Sequence, residues 1–208
     1  MLRNLFNLKE KECEVDSRAI SETRISELIG ILPHFSSECG DSITQAASIV
    51  LKTFLAGSKV LICGNGGSAA DSQHFAAEFV SAFSRDITRR GLPAMALTVD
   101  TSIITAYSND FGYEGVFSRQ VEAFGRPGDA LIVLTTSGSS KNCLNAVRKA
   151  KEIGISTIAF TRTLATISGE VDSSIEVPST NTQHIQECHM VAYHIITEIV
   201  EQSLFGGE

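Results

Sequence analysis

The sequence predicts an α/β fold: one domain with a parallel five-stranded sheet, helices on both faces in a three-layer α/β/α arrangement, and a helical extension at the N-terminus. Two observations predict it. Short β-branched runs begin only after about residue 57, and from there they alternate with stretches of helical spacing. Strands that alternate with helices form crossover units, which make the strands parallel and cover both faces of the sheet. A chain of 208 residues, 43% of them hydrophobic, suffices for one such core.

The N-terminal part of the chain is predicted to be helical. Apolar residues recur at helical spacing over 25–32 and again over 43–55. Pro33 is expected to end the first run, and Gly57 is expected to follow the end of the second. The predicted division of the chain is a variable lead-in, N-terminal helices and the main segment of the same domain, at residues 1–16, 17–57 and 58–208.

The rest of the chain is predicted to alternate between strands and helices. Five short runs are predicted strands, at residues 59–63, 93–97, 130–134, 156–160 and 174–177. Helices are predicted between and after them, at residues 68–83, 101–108, 114–123, 140–153 and 183–204. Parallel sheets of this kind bind ligands beyond the carboxyl ends of their strands. The loops after the first and third strands are therefore the places where a site is expected.

Composition and charge exclude several function classes. The 17 basic and 24 acidic side chains give a net charge of −7, which disfavours nucleic acid and anionic membranes as partners. The 5 cysteines are widely spaced and form no CxxC pair, which is typical of a reduced, intracellular protein. No signal peptide is evident at the N-terminus, and no apolar run approaches the roughly 18 residues that span a bilayer. We therefore expect a cytoplasmic protein.

Two loops carry the residue types that bind phosphate. The first strand leads into residues 64–69, with the sequence GNGGSA, and the third leads into residues 135–140, with the sequence TTSGSS. Glycines let backbone N–H groups approach an anion, hydroxyls add donors, and the helix N-terminus behind each loop adds partial positive charge. Together the loops predict a small phosphorylated ligand, although either one alone is also consistent with a purely structural turn.

The first loop also fits the GxGxxA fingerprint of dinucleotide-binding folds, through Gly64, Gly66 and Ala69. That fingerprint requires an acidic residue about 20 positions later, at the end of the next strand. Here the second predicted strand ends near Leu97, and the first acidic residue after it is Asp100. This spacing is too long, so the sequence disfavours a nicotinamide cofactor.

Titratable residues are concentrated on two predicted helices. His74 and Glu78 lie four positions apart after the first loop, so they share a helix face. The last helix carries His184, Gln186, Glu187, His189 and His194. The spacing to His194 allows either Gln186 or Glu187 to reach the same point and does not choose between them. Packing at an interface is the alternative explanation of the His74/Glu78 pair.

A set of runs, in this order, makes the chain resemble the phosphoheptose isomerases of the sugar-isomerase (SIS) family. The matching runs lie at 63–68 (CGNGGS), 74–78 (HFAAE), 108–113 (SNDFGY), 117–123 (FSRQVEA), 128–129 (GD), 135–138 (TTSG) and 185–189 (IQECH). The resemblance covers about residues 40–205. It implies a single SIS domain that converts sedoheptulose 7-phosphate to D-glycero-D-manno-heptose 7-phosphate through an enediol, the first step of ADP- or GDP-heptose biosynthesis.

The resemblance also implies roles for individual residues. Glu78 and His194 match the proposed acid–base pair of the family. The family's zinc ligands, for one Zn²⁺ per subunit, match His74, Glu78, Gln186 and His194, which favours Gln186 over Glu187. The positions that would contact the sugar phosphate match Asn65, Gly66, Gly67, Ser68, Asn109, Asp110, Thr135, Thr136, Ser137, Ser140 and Gln186.

Two alternatives fit parts of the pattern. One branch of the family binds the bacterial replication initiator and is not an enzyme, but it has lost the acidic residue and the second histidine that stand here as Glu78 and His194. Another sugar-phosphate isomerase is the second alternative. The turn at 161–167 and the pair at 183–184 depart from the family's usual sequence, and these departures concern substrate preference rather than the reaction.

The last predicted helix carries more apolar residues than one face can hold, and this predicts that the chain forms an oligomer. Residues 183–204 are apolar on more than one face, whereas a helix that covers a sheet needs only one apolar face. The surplus is expected to pack against another copy of the chain. The resemblance implies a homotetramer, with active sites near the subunit interfaces.

Overall fold

The computed structural model describes residues 15–206, and its centre is a five-stranded parallel sheet. The strands are β1 (Val60–Gly64), β2 (Ala94–Ala96), β3 (Ala130–Leu134), β4 (Ser156–Arg162) and β5 (Ser173–Val177). They pair in the order β2-β1-β3-β4-β5, every pair parallel. The predicted fold class is confirmed. Most of the predicted lead-in, residues 1–14, lies outside the described residues.

Six α-helices accompany the sheet within the described range. They are α1 (Ser17–Leu55), α2 (Gly67–Val80), α3 (Thr101–Phe111), α4 (Val116–Phe124), α5 (Lys141–Glu152) and α6 (Thr182–Phe205). The helices predicted after residue 57 are all present, with bounds that differ by a few residues. Among the described residues, no helix is both long and apolar enough to cross a membrane.

The sheet separates two hydrophobic cores because strand side chains alternate between its faces. Even-numbered residues of β1 and β3, such as Ile62 and Ile132, pack with α1, α2 and α6. Odd-numbered residues, such as Leu61 and Leu131, pack with α4 and α5. The three central strands β1, β3 and β4 are buried along nearly their whole length, as expected for a sheet covered on both faces.

The predicted break at Pro33 is wrong, because a single helix of 39 residues runs through it. A proline inside a helix removes one backbone hydrogen bond, here the one to the carbonyl of Ile29. Ile29 is exposed, and burial on α1 begins only at Phe35 and continues to Phe54. Packing of this second half on α6 and β5 therefore sustains the helix beyond the proline. Gly57 follows the helix end as predicted, with φ of 74°.

Both predicted loops leave the sheet at one edge. We call the carboxyl edge the side where β1, β3 and β4 end, at Gly64, Leu134 and Arg162, and the amino edge the side where they begin. Gly64 pairs with Leu134 in the register of β1 and β3. The loops after these strands are therefore neighbours, and they precede α2 and α5. The fold therefore places the two loops that are predicted to bind an anion side by side at the carboxyl edge.

Candidate active site

Two imidazoles and a carboxylate converge where α2 crosses α6. Ligand atoms of His74, Glu78 and His194 all lie within 4.8 Å of one another. Nε2 of His74 lies 2.9 Å from Oε1 of Glu78, and the rings of His74 and His194 are 5.3 Å apart at 77°. Two helices far apart in sequence thus bring together three of the residues predicted for acid–base and metal chemistry.

Tyr193 orients the first of these imidazoles, a role that sequence analysis did not predict. Its hydroxyl lies 2.8 Å from Nδ1 of His74, while Nε2 of that ring faces Glu78. The Tyr193 ring is fully buried and stacks on Phe75, with ring centroids 5.0 Å apart. Burial raises the pKa of the Tyr193 hydroxyl, with Asp71 and Glu78 adding to the shift, so the hydroxyl stays protonated. The ring of His74 is therefore held at both nitrogens. The only sequence signal was the position of this tyrosine beside His194.

The environment of His194 favours its neutral form. Burial lowers the pKa of this histidine, and the nearby His74 lowers it further, against a smaller opposing effect of Glu78. A neutral imidazole next to a carboxylate can accept or donate a proton at neutral pH. The pair is therefore suited to moving protons on a bound substrate.

A cavity of about 530 Å³ opens beside this cluster, between α2 and α6. Gln186 and His194 line it from α6, and Gly67 and Asp71 line it from α2. Burial raises the pKa of Asp71. The amide of Gln186 donates to Oγ of Ser68 at 3.4 Å, and a Cβ at Gly67 would collide with that amide. The cavity is therefore lined by Gln186 together with the first turns of α2.

Glu187 has a different role from Gln186, although the spacing alone did not separate them. Its Oε2 lies 2.8 Å from Nδ1 of His184, and the other nitrogen of that ring lies 3.1 Å from Oε2 of Glu27 on α1. Hydrogen bonds to Glu187 and then Glu27 raise the pKa of His184. This group ties the start of α6 to α1, whereas the amide of Gln186 bonds to Ser68 on α2, and both side chains line the cavity.

The glycine loop is joined to the start of α5 by a reciprocal amide pair. Nδ2 of Asn65 donates to Oδ1 of Asn142 at 2.9 Å, and Nδ2 of Asn142 donates back to Oδ1 of Asn65 at 2.8 Å. The hydroxyl of Tyr113 donates to the same Oδ1 of Asn65 at 2.8 Å. Asn142 is buried and was not predicted as a site residue. Its amide fixes the spacing of the two loops, in addition to any contact that Asn65 makes with a ligand.

The hydroxyl loop after β3 is stabilised by its own side chains. Oγ1 of Thr135 lies 3.2 Å from Oγ of Ser140 and accepts from the backbone N–H of Gly138, also at 3.2 Å. Thr135 is buried, Thr136 is half-buried, and Ser137 is exposed at the rim. Ser140 is the N-cap residue of α5, so the loop ends at that helix N-terminus. Hydroxyls and backbone N–H groups in front of a helix N-terminus are groups that can bind an anion.

The predicted pair Asn109 and Asp110 lies farther along the carboxyl edge, in the last turn of α3. Both residues are exposed, and Nδ2 of Asn109 donates to Oδ1 of Asp110 at 2.8 Å. Asp110 lines a separate groove of about 350 Å³ between α3 and α4. The connection to the glycine loop runs through Tyr113, three residues later. Within this one chain the pair does not line the cavity that contains Gln186 and His194.

The donor set fits a divalent metal of the zinc type. Two imidazoles and one carboxylate within 4.8 Å of one another are ligands that Zn²⁺ accepts, and Oε1 of Gln186, a residue that lines the adjoining cavity, is a possible fourth donor. Tyr193 supplies the outer contact that orients a histidine ligand.

Comparisons with known proteins agree with this geometry. A family model described as the SIS domain matches residues 25–162. A phosphoheptose isomerase of Roseiflexus sp. (strain RS-1) is 55% identical over 164 residues, which cover 78% of this chain and 82% of the relative.

Solved structures of the same kind superpose closely. Phosphoheptose isomerase GmhA from Neisseria gonorrhoeae is 37% identical, with a TM-score of 0.84 over 89% of this chain and 98% of that one. A phosphoheptose isomerase from Francisella tularensis is 34% identical, with a TM-score of 0.86 over 90% of this chain and 100% of that one. The resemblance drawn from the sequence motifs is confirmed: the chain belongs to the phosphoheptose isomerases of the SIS-domain family, and it is a sugar-phosphate isomerase.

Proposed function

We propose that the enzyme converts sedoheptulose 7-phosphate to D-glycero-D-manno-heptose 7-phosphate. The observation that carries the proposal is the convergence of ligand atoms of Glu78 and His194 within 4.8 Å on α2 and α6, beside a cavity that reaches the glycine loop at Gly67. A ketose–aldose isomerase needs a base and an acid on one sugar end and a phosphate anchor for the other. Relatives that are named phosphoheptose isomerase support the heptose as the sugar.

The reaction moves two protons. Glu78 takes a proton from C1 of the ketose, which forms an enediol, and the proton is then delivered to C2. His194 transfers the other proton from O1 to O2, so that the C2 carbonyl becomes a hydroxyl and C1 becomes an aldehyde. The lowered pKa of His194 keeps its imidazole neutral and able to accept the O1 proton. Tyr193 and Glu78 together hold His74 in place beside the reacting atoms.

The substrate would extend from this cluster to the hydroxyl loop. We assign the phosphate to the hydroxyls and backbone N–H groups of 135–140, in front of the N-terminus of α5. Asn65, Gly66, Gly67 and Ser68 would contact the middle of the sugar from the start of α2. Asn109 and Asp110 are assigned to substrate by the resemblance, and their distance from the cavity agrees with a contribution across a subunit interface.

A zinc ion, one per subunit, would be held by His74, Glu78, Gln186 and His194. When bound, it would polarise the ketose carbonyl and stabilise negative charge on the enediolate oxygens. The amide of Gln186 now donates to Ser68, so its carbonyl oxygen is the atom suited to the metal. A glutamine ligand is uncommon for zinc, and we expect moderate affinity.

We further propose a cytoplasmic homotetramer that supplies heptose for nucleotide-activated sugars, such as those of lipopolysaccharide. Exposed apolar side chains on α1 and α6 support the assembly: Leu32, Met190, Val191 and Ile195 are each at least 36% exposed. The described cysteines, Cys39, Cys63, Cys143 and Cys188, are free and buried, which agrees with a reducing compartment.

The decisive experiment is an isomerase assay with a matched pair of variants. Sedoheptulose 7-phosphate and other ketose phosphates are offered to wild type, Glu78→Gln and His194→Gln, and turnover and exchange of the C1 proton with solvent are measured. We expect turnover of the heptulose and a fall of kcat of about 100- to 10,000-fold in either variant. The control is Glu38→Gln, which neutralises the exposed pair of His34 and Glu38 at the same spacing on α1 and should leave kcat unchanged.

Two outcomes would change the proposal. Turnover of another ketose phosphate with none of the heptulose would replace the substrate. More than about a tenth of wild-type kcat in Glu78→Gln or His194→Gln would remove that residue from proton transfer. Metal analysis decides the zinc assignment separately: we expect close to one equivalent per chain, and full activity after exhaustive chelation would contradict it.

A further inference from the structure

A buried ion pair joins the two helices that carry the proposed catalytic cluster. Nε of Arg89, in the segment after α2, donates to Oε1 of Glu201 on α6 at 2.5 Å. Both side chains are almost inaccessible to solvent, with exposures of 0% for Arg89 and 2% for Glu201. Charges as deeply buried as these are costly unless they are fully hydrogen-bonded. The hydrogen bonds around the two charges must therefore offset the cost of burying them.

The guanidinium of Arg89 is bonded on its other side to the end of α2. Its Nη2 donates to the backbone carbonyl of Glu78 at 2.8 Å, and its Nη1 donates to the carbonyl of Phe79 at 2.8 Å. The last carbonyls of a helix have no partner within that helix, and α2 has no basic residue in its own last turn. Arg89 thus supplies the side-chain donor to the carbonyl of Glu78, shares that of Phe79 with the N–H of Leu92, and adds the positive charge that this helix end favours.

The carboxylate of Glu201 is equally well satisfied. Besides Arg89, it accepts from the backbone N–H groups of Phe83 and Ser84, at 3.1 Å and 2.8 Å. Burial raises the pKa of Glu201, but the hydrogen bonds from Arg89, Ser84 and Phe83 outweigh it and hold the pKa below its ordinary value. The carboxylate is therefore ionised, and it fixes the turn that leaves α2 as well as the guanidinium.

The position of this pair relates it to the catalytic cluster. Glu201 follows His194 by seven residues, which places both on one face of α6 and about 10 Å apart along its axis. On α2, the bonded carbonyl belongs to Glu78 itself. We propose that Arg89 and Glu201 are positioning residues that fix Glu78 relative to His194 by clamping the end of α2 onto α6. This inference rests on the proposed acid–base roles of Glu78 and His194.

A second ion pair provides a matched control. Nζ of Lys59 donates to Oδ2 of Asp129 at 2.6 Å at the amino edge of the sheet, and Asp129 also accepts from the backbone N–H groups of Lys59 and Arg126. The side chain of Asp129 is 3% exposed. Both carboxylates are thus buried, ion-paired and bonded to two backbone donors, but only Glu201 lies on a helix of the site.

The experiment compares Glu201→Gln with Asp129→Asn, each an isosteric loss of charge, and includes Arg89→Lys as a milder variant. Lysine keeps the charge but has no planar fork to reach two carbonyls and a carboxylate together. We measure thermal unfolding, kcat and KM separately, and hydrogen exchange of the backbone amides of 77–84. Metal affinity is measured by competition with a chelator in the absence of substrate.

We expect kcat to fall about 10- to 100-fold in Glu201→Gln, and to a smaller extent in Arg89→Lys, with KM changed less than about threefold because the phosphate loop lies on other elements. Both variants should weaken zinc binding and accelerate hydrogen exchange of the backbone amides of 77–84. Asp129→Asn should lower the melting temperature but leave kcat, zinc affinity and that exchange unchanged.

The clamp would be refuted if Glu201→Gln and Arg89→Lys unfolded at lower temperature yet kept wild-type kcat and wild-type exchange in 77–84. Failure of the proposed function gives a different result. In that case wild type itself lacks heptulose turnover, or Glu78→Gln keeps it, whereas the exchange measurement still reports whether the clamp holds the end of α2.

Discussion

The two edges of the sheet are built differently, although the same strands form both. At the amino edge, both carboxylate oxygens of Asp129 are bonded, to the backbone and Nζ of Lys59 and to the backbone of Arg126. At the carboxyl edge, Oγ1 of Thr161 and Nδ1 of His189 are buried with no partner among the described residues. Leu164, two residues after β4, has a φ of 60° that leucine rarely adopts.

The contrast is one of degree, because Oγ of Ser173 at the start of β5 is also buried without a partner, but the one described non-glycine residue with positive φ lies at the carboxyl edge. Buried groups that are fully bonded stabilise a structure, whereas strained backbone and unpaired polar atoms cost free energy and concentrate at binding sites. The carboxyl edge presents the glycine loop and the hydroxyl loop, which are proposed to contact the substrate. Substitutions at matched positions of the two edges should therefore have different consequences.

The largest difference is expected between two glycines of positive φ. Gly138 has a φ of 64°, and a Cβ there would overlap the side chains of Ala165 and Thr161. Gly128, at the amino edge, has a φ of 92°, but its nearest neighbour would be Oγ of Ser58 at 3.2 Å. Gly138→Ala should lower the free energy of unfolding by about 2–4 kcal/mol, and Gly128→Ala by about 1–2 kcal/mol. Denaturant unfolding measures both. Equal losses at the two positions would mean that the positive φ alone, and not overlap of the added Cβ with its neighbours, lowers the free energy of unfolding.

Loss of a hydroxyl from the hydroxyl loop, which is proposed to hold the phosphate, should affect binding rather than stability. Ser137 is exposed at the rim, so Ser137→Ala should leave the unfolding midpoint nearly unchanged. Loss of a hydrogen bond to a dianion costs about 1.5–3 kcal/mol, which raises KM for the sugar phosphate about 10- to 100-fold. Inhibition by inorganic phosphate should weaken in parallel. An unchanged KM would place the phosphate elsewhere.

The buried histidine at the carboxyl edge should make stability depend on pH. Burial lowers the pKa of His189 to about 4, below its ordinary 6.5. Proton uptake therefore favours the unfolded chain, and the contribution of the neutral ring is complete above about pH 6.5 and is lost as the pH falls toward 4. At pH 5 this costs wild type about 2 kcal/mol relative to neutral pH.

His189→Leu removes that dependence. The variant should be within about 1 kcal/mol of wild type at pH 7.5 and more stable than wild type by about 2 kcal/mol at pH 5. Urea unfolding at the two pH values, at one protein concentration, gives the comparison. A difference between variant and wild type that does not change with pH would show that the ring is not the titrating group.

The smallest effect is expected at the strained leucine. Leu164 is 92% exposed, so its side chain contributes little burial, while its φ of 60° suits glycine. Leu164→Gly should leave the free energy of unfolding unchanged or raise it by up to about 1 kcal/mol. Leu55→Gly is the control, because Leu55 is also exposed but lies at the end of α1, where glycine costs about 1 kcal/mol. A similar loss at both positions would show that the turn is not strained.

Hydrophobic periodicity predicted most of the architecture, because the position of each helix and strand depends on residues that are close together in the sequence. The five strands, the helices after residue 57 and the two loops all lie where the pattern placed them. The break at Pro33 was predicted from local propensity, and it fails because packing of Phe35 to Phe54 on α6 outweighs one lost hydrogen bond. The family motifs extended this prediction to individual site residues, since they combine loops that are far apart in the sequence.

Only the tertiary structure decided which polar residues meet. By itself the sequence determined the elements, the parallel sheet and the family, because each depends on local pattern or on a motif. The spacing left Gln186 and Glu187 equivalent, and both line the cavity, but in the fold the amide of Gln186 bonds to Ser68 whereas Glu187 binds His184. The pair of Arg89 and Glu201 is separated by 112 residues and follows no pattern. Such contacts arise where α2 crosses α6, because the crossing brings together side chains that are far apart in the sequence. Local periodicity therefore cannot predict them.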